Sequence, residues 1–466
     1  MSLLIPGTNS IKDTGYNVAN SARFNSGSSD YIQRTYGTPT NAKIFGLSWW
    51  IKISGDPVAG TGQFDLWGER TNSSNRVFMS LNGSGIFNFF EKNGGSNVLE
   101  LDTNRQFRDN GAWYHFLLLG DSTQSTASNR IKLYVNGVQE TNFSTETYPS
   151  QDYEFRLAVN STKYFGRIGL GGSGLSTNYF DGYLAEVAFV DGTVTAHTDY
   201  GEFDEDSPTI WKPKDISGLT FGNNGFHLDF EDSSALGNDV SGNNNDFTVN
   251  NLTSVDQSTD TCTNNFTTLN PSANLTGSPT YSEGNLKVAG DSSANHNWQT
   301  TFVVSSGKWY WELKDLTSSP DGSLLFYDQS IISGSHPGYG FVFNSRKKVI
   351  NGSPTGSAIG SSAQNDIWSM ALDLDNGKMF IARNGTYLSS GDPGNGTNPF
   401  IQTSDGLPSE GVFGGHIYNG SMELNFGSPS FSISSGNADA NGFGNFEYAV
   451  PSGYFALCTK NLAEFG

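Results

Sequence analysis

Trp113-Tyr114-His115-Phe116-Leu117-Leu118-Leu119, followed after a polar gap by Ile131-Lys132-Leu133-Tyr134-Val135-Asn136-Gly137, decides the fold class. The first stretch is an apolar run of strand length. The second alternates Ile131, Leu133 and Val135 with residues that carry polar tips, and a period of two puts one face of a strand into a core. Asn136-Gly137 then ends the alternation with the dipeptide that type I′ turns favour, because both central residues of that turn need a positive φ. The chain must therefore double back into an antiparallel partner.

Working outward, the same signals recur at 45–53, 76–81, 86–91, 154–159, 163–170 and 183–190, separated by Gly, Asn and Ser. This spacing predicts an antiparallel sandwich. From Asp199 to Pro213 acidic residues and prolines interrupt the periodicity. Residues 226–230 alternate as a strand, and 232–251 form a polar run that reads as a connector. Strand signals resume at 309–313, 340–343, 367–374, 378–383, 412–414 and 421–426, with Asn376-Gly377 marking a second hairpin, and 448–462 reads as a closing strand and tail. The expected fold is all-β, two antiparallel, jelly-roll-like β-sandwich domains in tandem. The expected boundaries are an N-terminal arm over 1–19, a first sandwich over 20–198, an acidic connector over 199–279 and a second sandwich over 280–466.

Composition agrees with this reading and excludes others. The 466 residues include 13% aromatics and 56 glycines but only 15% charged residues, against roughly 25% in average soluble domains. Asn, Ser, Thr and Gly must therefore cover the surface. A net charge of −20 repels phosphates, which argues against a nucleic-acid partner. The longest apolar run, Phe116-Leu117-Leu118-Leu119, falls far short of the ~20 residues of a membrane-spanning helix, so no membrane insertion is expected. The opening MSLLIPGTNS has no basic region and no long apolar stretch, so no secretory leader is expected, nor glycosylation at triplets such as Asn142-Phe143-Ser144. Two cysteines, Cys262 and Cys458, do not make a disulfide scaffold.

Three sets of residues carry resemblances to known families. The pair of strands quoted first, with Phe180-Asp181-Gly182-Tyr183-Leu184-Ala185-Glu186-Val187, resembles the central and closing strands of concanavalin A-like (laminin-G-like) jelly rolls over about residues 20–195. Ser306-Gly307-Lys308-Trp309-Tyr310-Trp311-Glu312 and the hairpin 366–379, closed by Arg383-Asn384-Gly385, are similar to SPRY-type sandwiches over about 280–430. The segments Asp13–Phe24, Asp239–Phe247, Cys262–Phe266 and Pro451–Thr459 make the whole chain resemble virion structural proteins of tailed, marine-type bacteriophages. That resemblance implies an exposed, non-enzymatic particle protein on the virion surface. Its expected partners are other virion proteins and host surface glycans, and a homo-oligomer such as a trimer is expected. Tail fibre or compact appendage is the first reading and head decoration or head fibre the alternative. No coiled-coil, collagen-like or β-helical shaft is visible, which favours a compact appendage, and the N-terminal arm is the candidate attachment segment.

Catalytic chemistry finds little support. Carbohydrate-cleaving jelly rolls carry two glutamates around an aspartate on one strand, whereas Glu100-Leu101-Asp102 is followed by Thr103 and Asn104, and Glu186 and Asp191 are offset by an odd number of residues. A particle-borne polysaccharide hydrolase is therefore the lesser alternative, beside a cellular lectin or peptide binder. The histidines at 115, 197, 227, 296, 336 and 416 show no metal-ligand spacing. No cofactor is expected beyond a structural calcium, for which Asp229, Glu231, Asp232, Asp239 and Asp246 are the hard-oxygen candidates. Tyr36, Tyr148, Tyr327, Tyr387 and Tyr418 stand in polar, Gly- and Ser-rich surroundings and are the candidates for stacking on sugar rings.

Overall fold

In strand Ile44–Ile53, residues Leu47, Trp49, Ile51 and Ile53 enter one hydrophobic core while Ser48, Trp50 and Lys52 point the other way, the alternation a pleated strand imposes. The computed structural model describes residues 15–55, 64–167, 178–273, 275–318, 321–328 and 336–466. It divides the chain into two units, Thr14–Thr263 and Asn264–Gly466, and each is a β-sandwich.

The first unit packs two eight-stranded sheets face to face. One sheet runs in the order Val138–Glu140, Ile131–Val135, Trp113–Asp121, Ile44–Ile53, Gly182–Asp191, Ser21–Phe24 and Gln257–Ser258, with Phe226–Leu228 also paired to Gly182–Asp191. The other runs Phe143–Thr147, Ser96–Gln106, Ile86–Asn93, Asn75–Leu81, Phe64–Asn72, Thr162–Phe165, Tyr31–Thr35 and Thr248–Asn250. Trp49 stacks on Phe116 with ring centres 5.5 Å apart in the core between them. Each such buried side chain contributes about 1.5–3 kcal/mol. Asn136 and Gly137 take φ of 49° and 75°, the turn the sequence predicted.

Two sequence expectations need correction here. Residues 154–159 form turns, not a strand, although Phe155, Leu157 and Ala158 are buried. Apolar content alone sends them into the core, while Ala158 N–H is spent on the Phe155 carbonyl within the turn. The connector 199–279 is no separate connector: 199–263 is built into the first unit and 264–279 into the second. The polar run is ordered because its side chains replace ladder hydrogen bonds. The Asp239 carboxylate accepts from the backbone N–H groups of His227, Ser241 and Asn245, and the Asn245 carboxamide donates to the Asn223 and Gly225 carbonyls. Asp260 fixes the end of the run, with its carboxylate 2.7 Å from the buried Lys52 ammonium and 3.0 Å from Trp113 Nε1. Residues 1–14 of the expected N-terminal arm lie outside the described residues; Val18, further along it, is buried beside Trp50 and Trp113.

The second unit pairs a nine-stranded sheet with a six-stranded one. The larger runs Thr280–Ser282, Lys287–Gly290, Gly420–Asn425, Lys308–Asp315, Ile367–Asp373, Lys378–Arg383 and Thr386–Tyr387, with Ile401–Gln402 and Phe455–Ala456 joining at its sides. The smaller runs His296–Gln299, Val412–Ile417, Ser323–Tyr327, Tyr339–Val342, Lys347–Ile350 and Ser353–Thr355. Trp309, Trp311 and Leu313 face the core between the sheets; Tyr310 and Glu312 face the opposite side, where residues 437–458 cover them. The tail ends in a short helix, Thr459–Phe465, which the sequence reading missed.

Candidate aromatic groove

Glu312 lies on the outer face of the nine-stranded sheet, buried, with no cation among its hydrogen-bond partners within the described residues. Its carboxylate accepts from Tyr310 Oη (3.0 Å), Asn425 Nδ2 (3.2 Å) and the backbone N–H groups of Glu447 (2.9 Å) and Tyr448 (2.8 Å). Burial raises its pKa, against the lowering effect of these donors. The effect is to clamp 447–448 against the sheet, and a groove of about 520 Å³ opens beside the clamp. That volume suits a small ligand.

Three tyrosines line the groove: Tyr310, Tyr387 and Tyr448. Tyr387 follows the hairpin turn Asn384-Gly385, whose φ values of 47° and 75° again fit an Asn-Gly turn. Tyr448 lies against that turn, and a Cβ on Gly385 would come within 2.6 Å of its ring, so the aromatic wall needs glycine there. Asp392 also lines the groove, and hydrogen bonds from Asn395 hold its pKa below the ordinary carboxylate range. Burial raises the pKa of all three tyrosines, so their hydroxyls keep their protons at neutral pH. The groove thus combines aromatic rings, phenolic donors and an ionised acceptor, the groups that hold a hydroxylated ring.

Of the sequence-predicted tyrosines, only Tyr387 is in this groove. Tyr36 is a core residue, its ring 5.6 Å from Phe189, with the Arg34 guanidinium 5.2 Å over it. Tyr327 is likewise buried, on a central strand, and donates to the Trp298 carbonyl. Gly37 and Pro39 after Tyr36, and the polar Asp328-Gln329-Ser330 after Tyr327, read as loop. Tyr148 and Tyr418 are half-buried; Tyr148 Oη bonds Glu146, and Tyr418 follows strand Val412–Ile417. Tyr448, unforeseen, sits just before Val450-Pro451, and that break in the pattern was its one signal.

The proposed calcium ligands do not converge. Asp229 accepts from Glu231 N–H, Asp232 from Ser234, and Asp246 from Asp239 N–H, so these carboxylates shape turns. Among the described residues no three His, Cys, Asp or Glu side chains are grouped to hold a metal ion. Two unforeseen polar clusters are buried. Glu186, at a bulge with φ of 48°, meets His227 Nε2 at 2.9 Å. Ser323 Oγ lies 2.7 Å from His416 Nδ1, whose Nε2 is 3.8 Å from Asp321, yet Ser323 is fully buried and its Oγ also accepts from His416 N–H. That hydroxyl is closed to a substrate.

Residues 26–198 match the model of the Laminin_G_3 family, described as the concanavalin A-like lectin/glucanases superfamily. The first unit has a concanavalin A-like lectin fold. No curated protein matches the chain. Among solved structures, a candidate carbohydrate-binding protein from Bacteroides ovatus is 15% identical, with a TM-score of 0.34 over 50% of this chain and 59% of that one. Domains LG4-5 of the mouse laminin α1 chain are 10% identical, with a TM-score of 0.31 over 96% of this chain and 90% of that one. The SPRY domain of human HERC1 is 13% identical, with a TM-score of 0.25 over 30% of this chain and 87% of that one.

Proposed function

We propose that this protein is a non-enzymatic, glycan-binding structural protein of a tailed-bacteriophage particle, and that the groove of the second unit holds a sugar ring against Tyr387 and Tyr448. The observation that carries the binding reading is the groove itself: aromatic walls beside phenolic donors and Asp392 in about 520 Å³. The lectin-like fold of the first unit is compatible with it. The particle assignment rests on the sequence resemblance of 13–24, 239–247, 262–271 and 451–459. Single sugar contacts are weak, and many copies on one particle would multiply them into firm adhesion.

The test has two parts. Antibody labelling of purified particles, viewed by electron microscopy, should place the protein on the tail or head surface; unlabelled particles would reject the virion role. A glycan array probed with the full chain should give hits that Tyr448→Ala weakens by about tenfold, as loss of one stacking contact would. Hits indifferent to Tyr448→Ala would remove the groove as the binding site.

A further inference from the structure

A second cavity, of about 340 Å³, lies in the first unit, on the face of the Trp113–Asp121 strand that points away from the sandwich core. Lys132 and Tyr134 project into it from the neighbouring strand, opposite Leu119 and Leu117 in register. Tyr134 stacks on His197 with ring centres 4.8 Å apart and planes at 8°, and His197 in turn stacks on Trp211 at 6.1 Å. This ladder is a fixed platform that needs no ordering when a ligand arrives. Val194, 66% exposed, supplies an apolar lip.

The charges in the cavity are unequally committed. Asp121 accepts from Thr123 N–H, Thr123 Oγ1 and Gln124 Nε2, and these bonds hold its pKa down. The half-buried Lys132 ammonium has no ion-pair or hydrogen-bond partner among the described residues. A cation beside an aromatic platform fits a ring that carries one carboxylate, while the Asp121 charge disfavours multiply charged phosphates. We infer that this cavity binds a carboxylate-bearing sugar of the uronic-acid class, with its carboxylate on Lys132 and its ring against Tyr134.

This site is independent of the groove in the second unit, and the test separates them. Isothermal titration of the full chain with methyl glucuronide, methyl glucoside and acetate should show the glucuronide bound most tightly. Lys132→Gln should weaken it by about tenfold, Lys132→Arg should retain it, and Tyr448→Ala should leave it unchanged. Equal binding of glucoside and glucuronide in the Tyr448→Ala chain, acetate binding there as tight as the glucuronide, no heat at tens of millimolar glucuronide, or indifference to Lys132→Gln would each overturn the assignment. Loss of glucuronide binding in Tyr448→Ala would do so too, by moving the ligand to the other unit.

Discussion

In the first unit the buried Asp260 carboxylate meets a cation, Lys52, and an indole N–H; in the second the buried Glu312 carboxylate meets four neutral donors. Both tie a late stretch of sequence onto an early strand. The difference shows that a polar tail can be fastened to a sheet either by charge neutralisation or by hydrogen-bond saturation. The two respond differently when broken. An ion pair that loses its anion leaves a buried ammonium without its direct counter-charge, whereas a saturated carboxylate that is deleted leaves neutral donors that water can reach in part.

Asp260→Ala should therefore be the more damaging change, costing about 3–5 kcal/mol. Hydrogen exchange should report it as lost protection in Ser21–Phe24 and Gln257–Ser258, and unchanged protection there would mean that Lys52 finds another partner. Glu312→Ala should cost about 2–4 kcal/mol, from several donors left without an acceptor. It should free 446–450 and weaken glycan binding along with Tyr448, and a tight groove in this variant would deny the clamp its role.

A smaller effect separates the two through pH. Burial raises the Glu312 pKa, so its contribution is fully present below the ordinary glutamate value of about 4.3 and is lost as pH rises through the folded value. His336 runs the opposite way: burial and His416 lower its pKa to about 4, so its contribution is present above the ordinary histidine value of about 6.5 and is lost as pH falls toward 4. His336→Gln should flatten the acid side of the second unit's stability profile in calorimetry, and an unaltered slope would assign the acid sensitivity elsewhere. The smallest expected effect is that of calcium: with Asp229, Asp232 and Asp239 engaged in turns, chelation should leave the melting temperature of both units unchanged.

Most of the sandwich architecture was legible because alternation and Asn-Gly turns are local signals, as at Ile131–Val135 and Lys378–Arg383. What escaped was long-range. Ser21–Phe24 and Gln257–Ser258 are too short for a period to show; Ser21–Phe24 is a strand because it fits between Gly182–Asp191 and Gln257–Ser258, and the latter because it pairs with Ser21–Phe24. The Asn- and Asp-rich run 232–251 reads as solvated, and only the backbone partners of Asp239 and Asn245 reveal that it is folded. The groove was half legible. Tyr387 stood out beside Asn384-Gly385, but Tyr448 is held there by Glu312, a residue more than a hundred positions earlier, and by packing on Gly385.

The pairing of Ser21–Phe24 with Gln257–Ser258, and the bridge of Phe266 to Cys458, bear on how the chain is made. At a ribosome's rate of roughly 5–20 residues per second, Ser21–Phe24 and Phe266 wait on the order of ten seconds or more for these late partners to emerge. Once made, Tyr310, Ala371 and Phe380 have only Phe266 of their cluster beside them until Phe446, Tyr454 and Ala456 are synthesised. A nascent chain stalled before residue 446 would therefore display a sticky aromatic face, and its yield would depend on chaperones that shield such surfaces during translation.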